Sequence, residues 1–64
     1  MRHFLDKTEF VILKHNNWEE EEFYKFAQDE RPEALEFYDN LRKQFPEDRE
    51  YPNNKWVEIY VRML

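Results

Sequence analysis

The sequence predicts a small α+β domain in which a strand, two helices and a second strand follow one another. Four consecutive apolar residues occupy positions 10–13, residues 32–45 carry apolar side chains at helical spacing, and residues 55–64 alternate. A short helical connection brings the two strands back antiparallel. The expected fold is therefore a two-stranded antiparallel sheet with a helical hairpin on one face, and a chain of 64 residues forms one domain, 1–64.

The first strand is predicted over Thr8–Lys14. Its centre, Phe10-Val11-Ile12-Leu13, has no polar residue, which is typical of a strand that is buried on both faces. Residues 2–6 are expected to extend this strand, because Asp6-Lys7 contains no residue suited to the positive φ angles of a tight hairpin turn.

The first helix is predicted to run from Trp18 to about Gln28. Asn17 is a good N-cap, and Glu20 is placed to reach back to the backbone of the cap. On such a helix Phe23, Phe26 and Ala27 form the apolar stripe. Trp18 and Tyr24 point away from that stripe, so we interpret both as anchors for a partner.

The second helix is predicted from Pro32 to Phe45, because a proline suits the first helical turn and Pro46 ends the helix. Its apolar stripe consists of Ala34, Tyr38, Leu41 and Phe45, flanked by Leu35 and Phe37. Residues 46–54, with two prolines and two asparagines, are predicted to form a loop.

The last strand has two different faces. Val57, Ile59, Val61 and Met63 form an apolar face on which the helices are expected to pack, whereas Trp56, Glu58, Tyr60 and Arg62 form a mixed face. The mixed face would lie beside either Phe10 and Ile12 or Val11 and Leu13. An exposed surface of this kind favours a protein partner or self-association. Alternatively, residues 1–6 or the loop 46–54 cover it.

Charge is distributed unevenly along the chain. The formal net charge is −5, but residues 17–50 alone carry 12 acids and five bases. A negative field repels nucleic acid and anionic membrane, so we expect a partner with a basic surface and no direct nucleic-acid or membrane binding. The run Glu19–Glu22 also suits a first helical turn, and a purely solubilising role for the acids stays open.

Composition excludes several chemistries. The chain has no Gly, Ser or Cys, which removes the Ser and Cys nucleophiles, Gly-rich phosphate loops and thiolate metal sites. His3 and His15 fit no common metal-ligand spacing. We therefore expect no catalytic residue, metal or cofactor. The absence of cysteine and of an apolar run near 20 residues favours a soluble cytoplasmic protein.

These observations predict an acidic protein-binding module that inhibits or modulates a larger protein, in particular one that handles nucleic acid. The candidate partner-binding residues are Trp18, Glu21, Glu22, Tyr24, Glu33, Glu36, Trp56, Glu58 and Tyr60. In composition the chain resembles small bacteriophage proteins that disable host enzymes or defences, which would place it in the host cytoplasm. The alternative is a small homo-oligomeric accessory subunit, most simply a homodimer, that uses the mixed face as its self-interface.

Overall fold

Three antiparallel strands and one helix make up the part of the chain that the computed structural model describes, residues 8–64. The strands are β1 (Thr8–Asn16), β2 (Glu22–Ala27) and β3 (Lys55–Met63), and the helix is α1 (Arg31–Gln44). A 3-10 turn at Gln28–Glu30 leads directly into α1. The predicted extension of the first strand through residues 2–6 falls outside the described residues.

β1 is the central strand of the sheet, whose order is β2-β1-β3. It pairs antiparallel with β3 from Thr8 opposite Met63 to Asn16 opposite Lys55. On its other side it pairs antiparallel with β2, from Glu9 opposite Ala27 to Lys14 opposite Glu22. The predicted pairing of the first and last strands is thus confirmed, but the predicted two-stranded sheet is wrong because a third strand is present.

The predicted helix over residues 18–28 does not form, and with it the helical hairpin is lost. Asn17 does not cap a helix; it adopts a φ of 55° in the connection between β1 and β2. Its backbone N–H donates to the Asn54 carbonyl at 2.9 Å, and its side-chain Oδ1 accepts from the Asn54 N–H at 2.6 Å. Asparagine tolerates this left-handed conformation, so one residue type signals both a helix cap and a turn.

β2 forms because its six residues, EFYKFA, suit a strand that is covered on one side. Tyr24 and Phe26 are partly buried, while Phe23 and Lys25, which alternate with them, are exposed. Aromatic residues favour strands, where they pack against cross-strand neighbours. Phe23, Phe26 and Ala27 also match helical spacing, so this short segment satisfies both periods.

The second predicted helix is confirmed, and each of its ends lies within one residue of the prediction. The strand predicted over residues 55–64 is also confirmed and ends one residue earlier than predicted. Pro32 lies in the first turn of α1, and Phe45, the residue after the helix, donates its N–H to the Leu41 carbonyl at 2.8 Å. The side chain of Ala34 is fully buried, which allows the helix to lie close to the sheet.

The helix covers one face of the sheet. Phe37 contacts Tyr24 and Phe26, with ring centroids 4.8 and 5.5 Å apart, and Lys14 Nζ lies 4.8 Å from the centre of the Phe45 ring. By register, this face also carries Ile12 and Val57, both buried. Helix packing on the apolar face of β3 is confirmed at Val57, whereas Val61 and Met63 further along are 56% and 65% exposed.

Candidate functional site

A shallow groove of about 300 Å³ runs between β2 and α1. Phe26 comes from the strand, and the helix contributes Glu33, Glu36, Phe37 and Asn40. These four helical residues occupy positions i, i+3, i+4 and i+7 and therefore share one side of α1. Phe26 and Phe37 supply apolar surface, so the groove combines two aromatic rings with two carboxylates.

Glu33 and Glu36 are exposed, and within residues 8–64 neither carboxylate has an ion-pair or hydrogen-bond partner. Two neighbouring acids are already engaged, whereas Asp29, like Glu33 and Glu36, has no ion-pair or hydrogen-bond partner among residues 8–64. Glu30 Oε1 accepts a hydrogen bond from the Ala27 N–H at 2.8 Å, and Asp39 pairs with Lys43 at 3.0 Å. The two carboxylates of the groove thus keep their full capacity to bind a cationic group.

The outer edge of β2 adjoins the groove. Within the described chain β2 pairs only with β1, so alternate backbone N–H and C=O groups of β2 point away from the sheet. Such edges are usually protected by proline, bulges or inward-pointing charges. β2 contains no proline, and the side chain of its central charged residue, Lys25, lies on the face of the sheet opposite α1, away from the groove. On the groove side this edge can accept another strand.

The face of the sheet opposite the helix forms a second candidate surface. Its side chains lie in cross-strand rows: Trp56 beside His15; Glu58 beside Leu13 and Phe23; Tyr60 beside Val11 and Lys25; and Arg62 beside Glu9 and Ala27. Val11 and Leu13 are buried, but Phe23 is 53% and Tyr60 38% exposed. An ion pair joins Arg62 to Glu9 at one end of this face. No helix or strand among residues 8–64 packs over it.

A stack of three side chains closes the other end of this face. The rings of His15 and Trp56 lie 3.9 Å apart and nearly parallel, and the Arg49 guanidinium lies 4.4 Å from the centre of the Trp56 ring. Arg49 belongs to the loop 46–54, which also bridges to β3 through the backbones of Asp48 and Lys55. The loop therefore covers the Trp56 end of the face, as one predicted alternative proposed, and leaves Phe23 and Tyr60 exposed.

Two of the four glutamates in the run 19–22 lie close to side-chain nitrogen atoms of β1. Glu21 Oε1 lies 3.4 Å from His15 Nδ1, and Glu22 Oε2 lies 3.4 Å from Lys14 Nζ. The Tyr24 hydroxyl donates to Glu22 Oε1 at 2.7 Å. This hydrogen bond, with the charge of Lys14, lowers the pKa of Glu22, and the same hydrogen bond raises the pKa of Tyr24.

The structure distributes the nine predicted partner-binding residues over three places. Glu33 and Glu36 lie together at the groove; Trp56, Glu58 and Tyr60 lie on the open face. The remaining four, Trp18, Glu21, Glu22 and Tyr24, belong to β2 or to its connection with β1, where Trp18 is 83% exposed and Tyr24 packs on Phe37.

The sequence did not single out Phe26 and Phe37 as site residues, nor Phe23. Aromatic residues occupy both alternating positions of residues 22–27, so no pattern in the sequence separates the exposed Phe23 from the partly buried Phe26. Phe37 flanked the predicted helical stripe, and its role became visible only with β2 in place. His15 is the second-last residue of β1, and its side chain is only 16% exposed.

Neither a metal centre nor a membrane-spanning helix is found in the described region. Residues 8–64 contain no group of three or more His, Asp or Glu side chains arranged to hold a metal ion. The helical segments of the same region are too short and too polar to cross a bilayer. No protein-family model, curated protein or solved structure matches this chain.

Proposed function

We propose that this chain is a protein-binding module that recognises a basic segment of its partner through the groove between β2 and α1. The observation that carries the proposal is the pair of carboxylates, Glu33 and Glu36, which lie beside the aromatic surface of Phe26 and Phe37 without a cationic partner among residues 8–64. Aromatic surface supplies binding energy on desolvation, and unpaired carboxylates select a cation.

The overall charge of the protein supports the same choice of partner. A net charge of −5 attracts a basic protein over a distance of about one Debye length, roughly 8 Å at physiological salt. This attraction accelerates encounter with basic partners and disfavours anionic ones. The proposal has two further parts. The chain inhibits a larger protein with a basic cleft, such as one that handles nucleic acid, and it acts in the cytoplasm.

The proposal is tested with synthetic peptides of equal length in which lysine or glutamate alternates with valine. Fluorescence anisotropy should give measurable binding for the lysine peptide, weaker binding at high salt, and none for the glutamate peptide. The variant Glu33→Gln/Glu36→Gln should lose most of this binding. Its control is Glu20→Gln/Glu50→Gln, which removes the same charge from exposed positions outside the groove.

Equal binding of the lysine peptide to both double variants would contradict the groove, because net charge alone would then explain the attraction. Binding that does not respond to salt would contradict the electrostatic part of the proposal.

Self-association through the open face is the second candidate function, and the exposure of Phe23 and Tyr60 favours it. Large exposed aromatics over buried Val11 and Leu13 resemble the core of an interface more than a solvated surface. The test is the solution mass over a wide range of protein concentration. A dimer that dissociates on Tyr60→Ala substitution would support this candidate, and a monomer at every concentration would remove it.

A further inference from the structure

A bound segment can make backbone hydrogen bonds to this fold in addition to its side-chain contacts with the groove. The outer edge of β2 offers unpaired N–H and C=O groups over residues 22–26, whereas the Ala27 N–H already donates to Glu30. A segment that pairs with this edge lies about 4.8 Å from β2, and every second side chain of the segment faces the helix side of the sheet. Those side chains would lie in the groove against the exposed sides of the Phe26 and Phe37 rings, which contact each other.

The spacing of the groove residues restricts which side chains fit. Glu33 and Glu36 are one helical turn apart, so their side chains are separated by about 5–6 Å. Residues on one face of an extended segment are separated by about 6.6 Å, twice the rise of a strand. A lysine or arginine two positions from an apolar residue can therefore place its cation at a carboxylate while the apolar side chain contacts the rings of Phe26 and Phe37.

Charge also decides between a foreign segment and a second copy of this chain. Pairing of two β2 edges would bring two sets of Glu33 and Glu36 to the same junction, with no described base in either groove to offset them. Like charges facing each other across an interface oppose association. A basic partner segment meets no such repulsion.

We infer that the partner segment binds as an added antiparallel or parallel strand on the edge of β2, with an apolar residue against the exposed sides of the Phe26 and Phe37 rings and a Lys or Arg at Glu33 or Glu36. This inference rests on the proposed function and makes it specific: it states the backbone conformation of the ligand and the side-chain pattern that the groove recognises. The sheet would then have four strands, with the ligand next to β2.

The probe is a peptide of about nine residues, a normal strand length, in which Lys and Val alternate along one face and Thr occupies the other. A second peptide of the same sequence carries N-methyl groups on alternate backbone amides. It keeps every side chain and charge but cannot pair along one of its edges. A third peptide carries the N-methyl groups on the other alternate amides, so that both edges are tested.

Binding is followed by NMR on the isotope-labelled protein, together with amide hydrogen exchange. The unmodified peptide should shift the signals of Phe26 and Phe37 and slow exchange of outward-facing amides within residues 22–27. One of the two methylated peptides should bind at least about tenfold more weakly, since the loss of one or two hydrogen bonds is enough for that change. The variant Glu33→Gln/Glu36→Gln should weaken both binding and amide protection.

The outcomes separate the two proposals. If both methylated peptides bind as well as the unmodified one, while Glu33→Gln/Glu36→Gln still weakens binding, strand addition is overturned and the basic-segment function stands. If the double variant binds every peptide normally, or the signals that shift belong to Phe23 and Tyr60, both are overturned. Mutual protection of β2 amides at high protein concentration without peptide would assign the edge to a second copy and overturn the inference.

Discussion

The two faces of the sheet bury the same strand in different ways. On the helix side, Ile12 of β1 is fully buried under α1, whose Ala34 is also fully buried. On the open side, Val11 is equally buried, but the described residues that flank it in register are Lys25 and Tyr60 from the neighbouring strands. Among residues 8–64 only one face of this strand lies under a helix, yet both faces carry a fully buried side chain.

Truncation of Ile12 should have the largest effect on stability. Ile12→Ala removes a fully buried side chain between the sheet and α1, and such substitutions cost about 2–5 kcal/mol. A domain of this size has about 3–10 kcal/mol of stability in total, so we expect a large loss of the folded fraction. Urea denaturation followed by circular dichroism measures the change. Ile12→Val is the control, with an expected loss of about 1 kcal/mol; equal losses for both variants would contradict tight packing at this site.

Phe37→Ala should have the next largest effect, about 2 kcal/mol, because Phe37 contacts two rings but is only partly buried. The same denaturation experiment applies. Phe37→Leu keeps apolar volume and should recover about half of the loss. A cost near zero would mean that the helix is not held on the sheet by these ring contacts.

Phe23→Ala on the open face removes a side chain of the same type from a site that is 53% exposed. For a monomer the expected cost is below about 1 kcal/mol. The melting temperature should not depend on protein concentration. A larger cost that grows with concentration would show that this face is buried between copies, and it would shift the functional argument from the groove to the open face.

Glu9→Gln tests the ion pair with Arg62 at the edge of the open face. Glu9 is mostly buried, whereas Arg62 is 45% exposed, so water screens the pair. We expect a loss of no more than about 1 kcal/mol, which 0.5 M NaCl should reduce further. Arg62→Gln should give a similar value, and a much larger loss in either variant would indicate a stronger electrostatic role than solvent exposure allows.

The smallest expected effect is that of Tyr24→Phe, which removes the hydrogen bond to Glu22 and keeps the ring against Phe37. The pKa of Glu22 should rise, although Lys14 still holds it below the ordinary value. Because the folded pKa is lowered, the contribution of Glu22 is complete above the unfolded pKa and is lost as the pH falls through the folded pKa. Wild type should therefore lose more stability than Tyr24→Phe on acidification. Carbon NMR titration of the carboxyl group measures the pKa, and an unchanged value would contradict the hydrogen bond.

The elements with one clear period were predictable from the sequence. Residues 10–13 form a short apolar run with two β-branched residues, which favours a strand buried on both faces. Residues 32–45 repeat at three and four, and residues 55–63 alternate. β2 was not predictable in this way because six residues satisfy both periods and Asn17 suits both a cap and a turn. Tertiary contact with Phe37 decides between the two structures.

The candidate site was predictable only as far as a single element defines it. Glu33 and Glu36 could be named because they lie on one predicted helix, and the charge of residues 17–50 indicated a basic partner. The groove forms because Phe26 of β2 lies beside Phe37 of α1. A prediction that assigns residues 22–27 to a helix cannot bring these two side chains together. Tyr24, which pointed away from the predicted helical stripe, has a simple explanation once it lies on a strand against Phe37.

The pairing of β1 with both neighbours has a consequence for the rate of folding. β1 and β2 form a hairpin whose paired residues begin at Lys14 and Glu22, whereas β1 meets β3 through pairs that run from Asn16 with Lys55 to Thr8 with Met63. Closing the long connection between β1 and β3 costs more chain entropy than closing the short one between β1 and β2, and this cost precedes the contacts that offset it. We therefore expect β3 to join a hairpin and helix that are already forming. The rate-limiting step is then the arrival of the last strand, and substitutions in β3 should mainly change the unfolding rate, whereas those in the hairpin should change the folding rate.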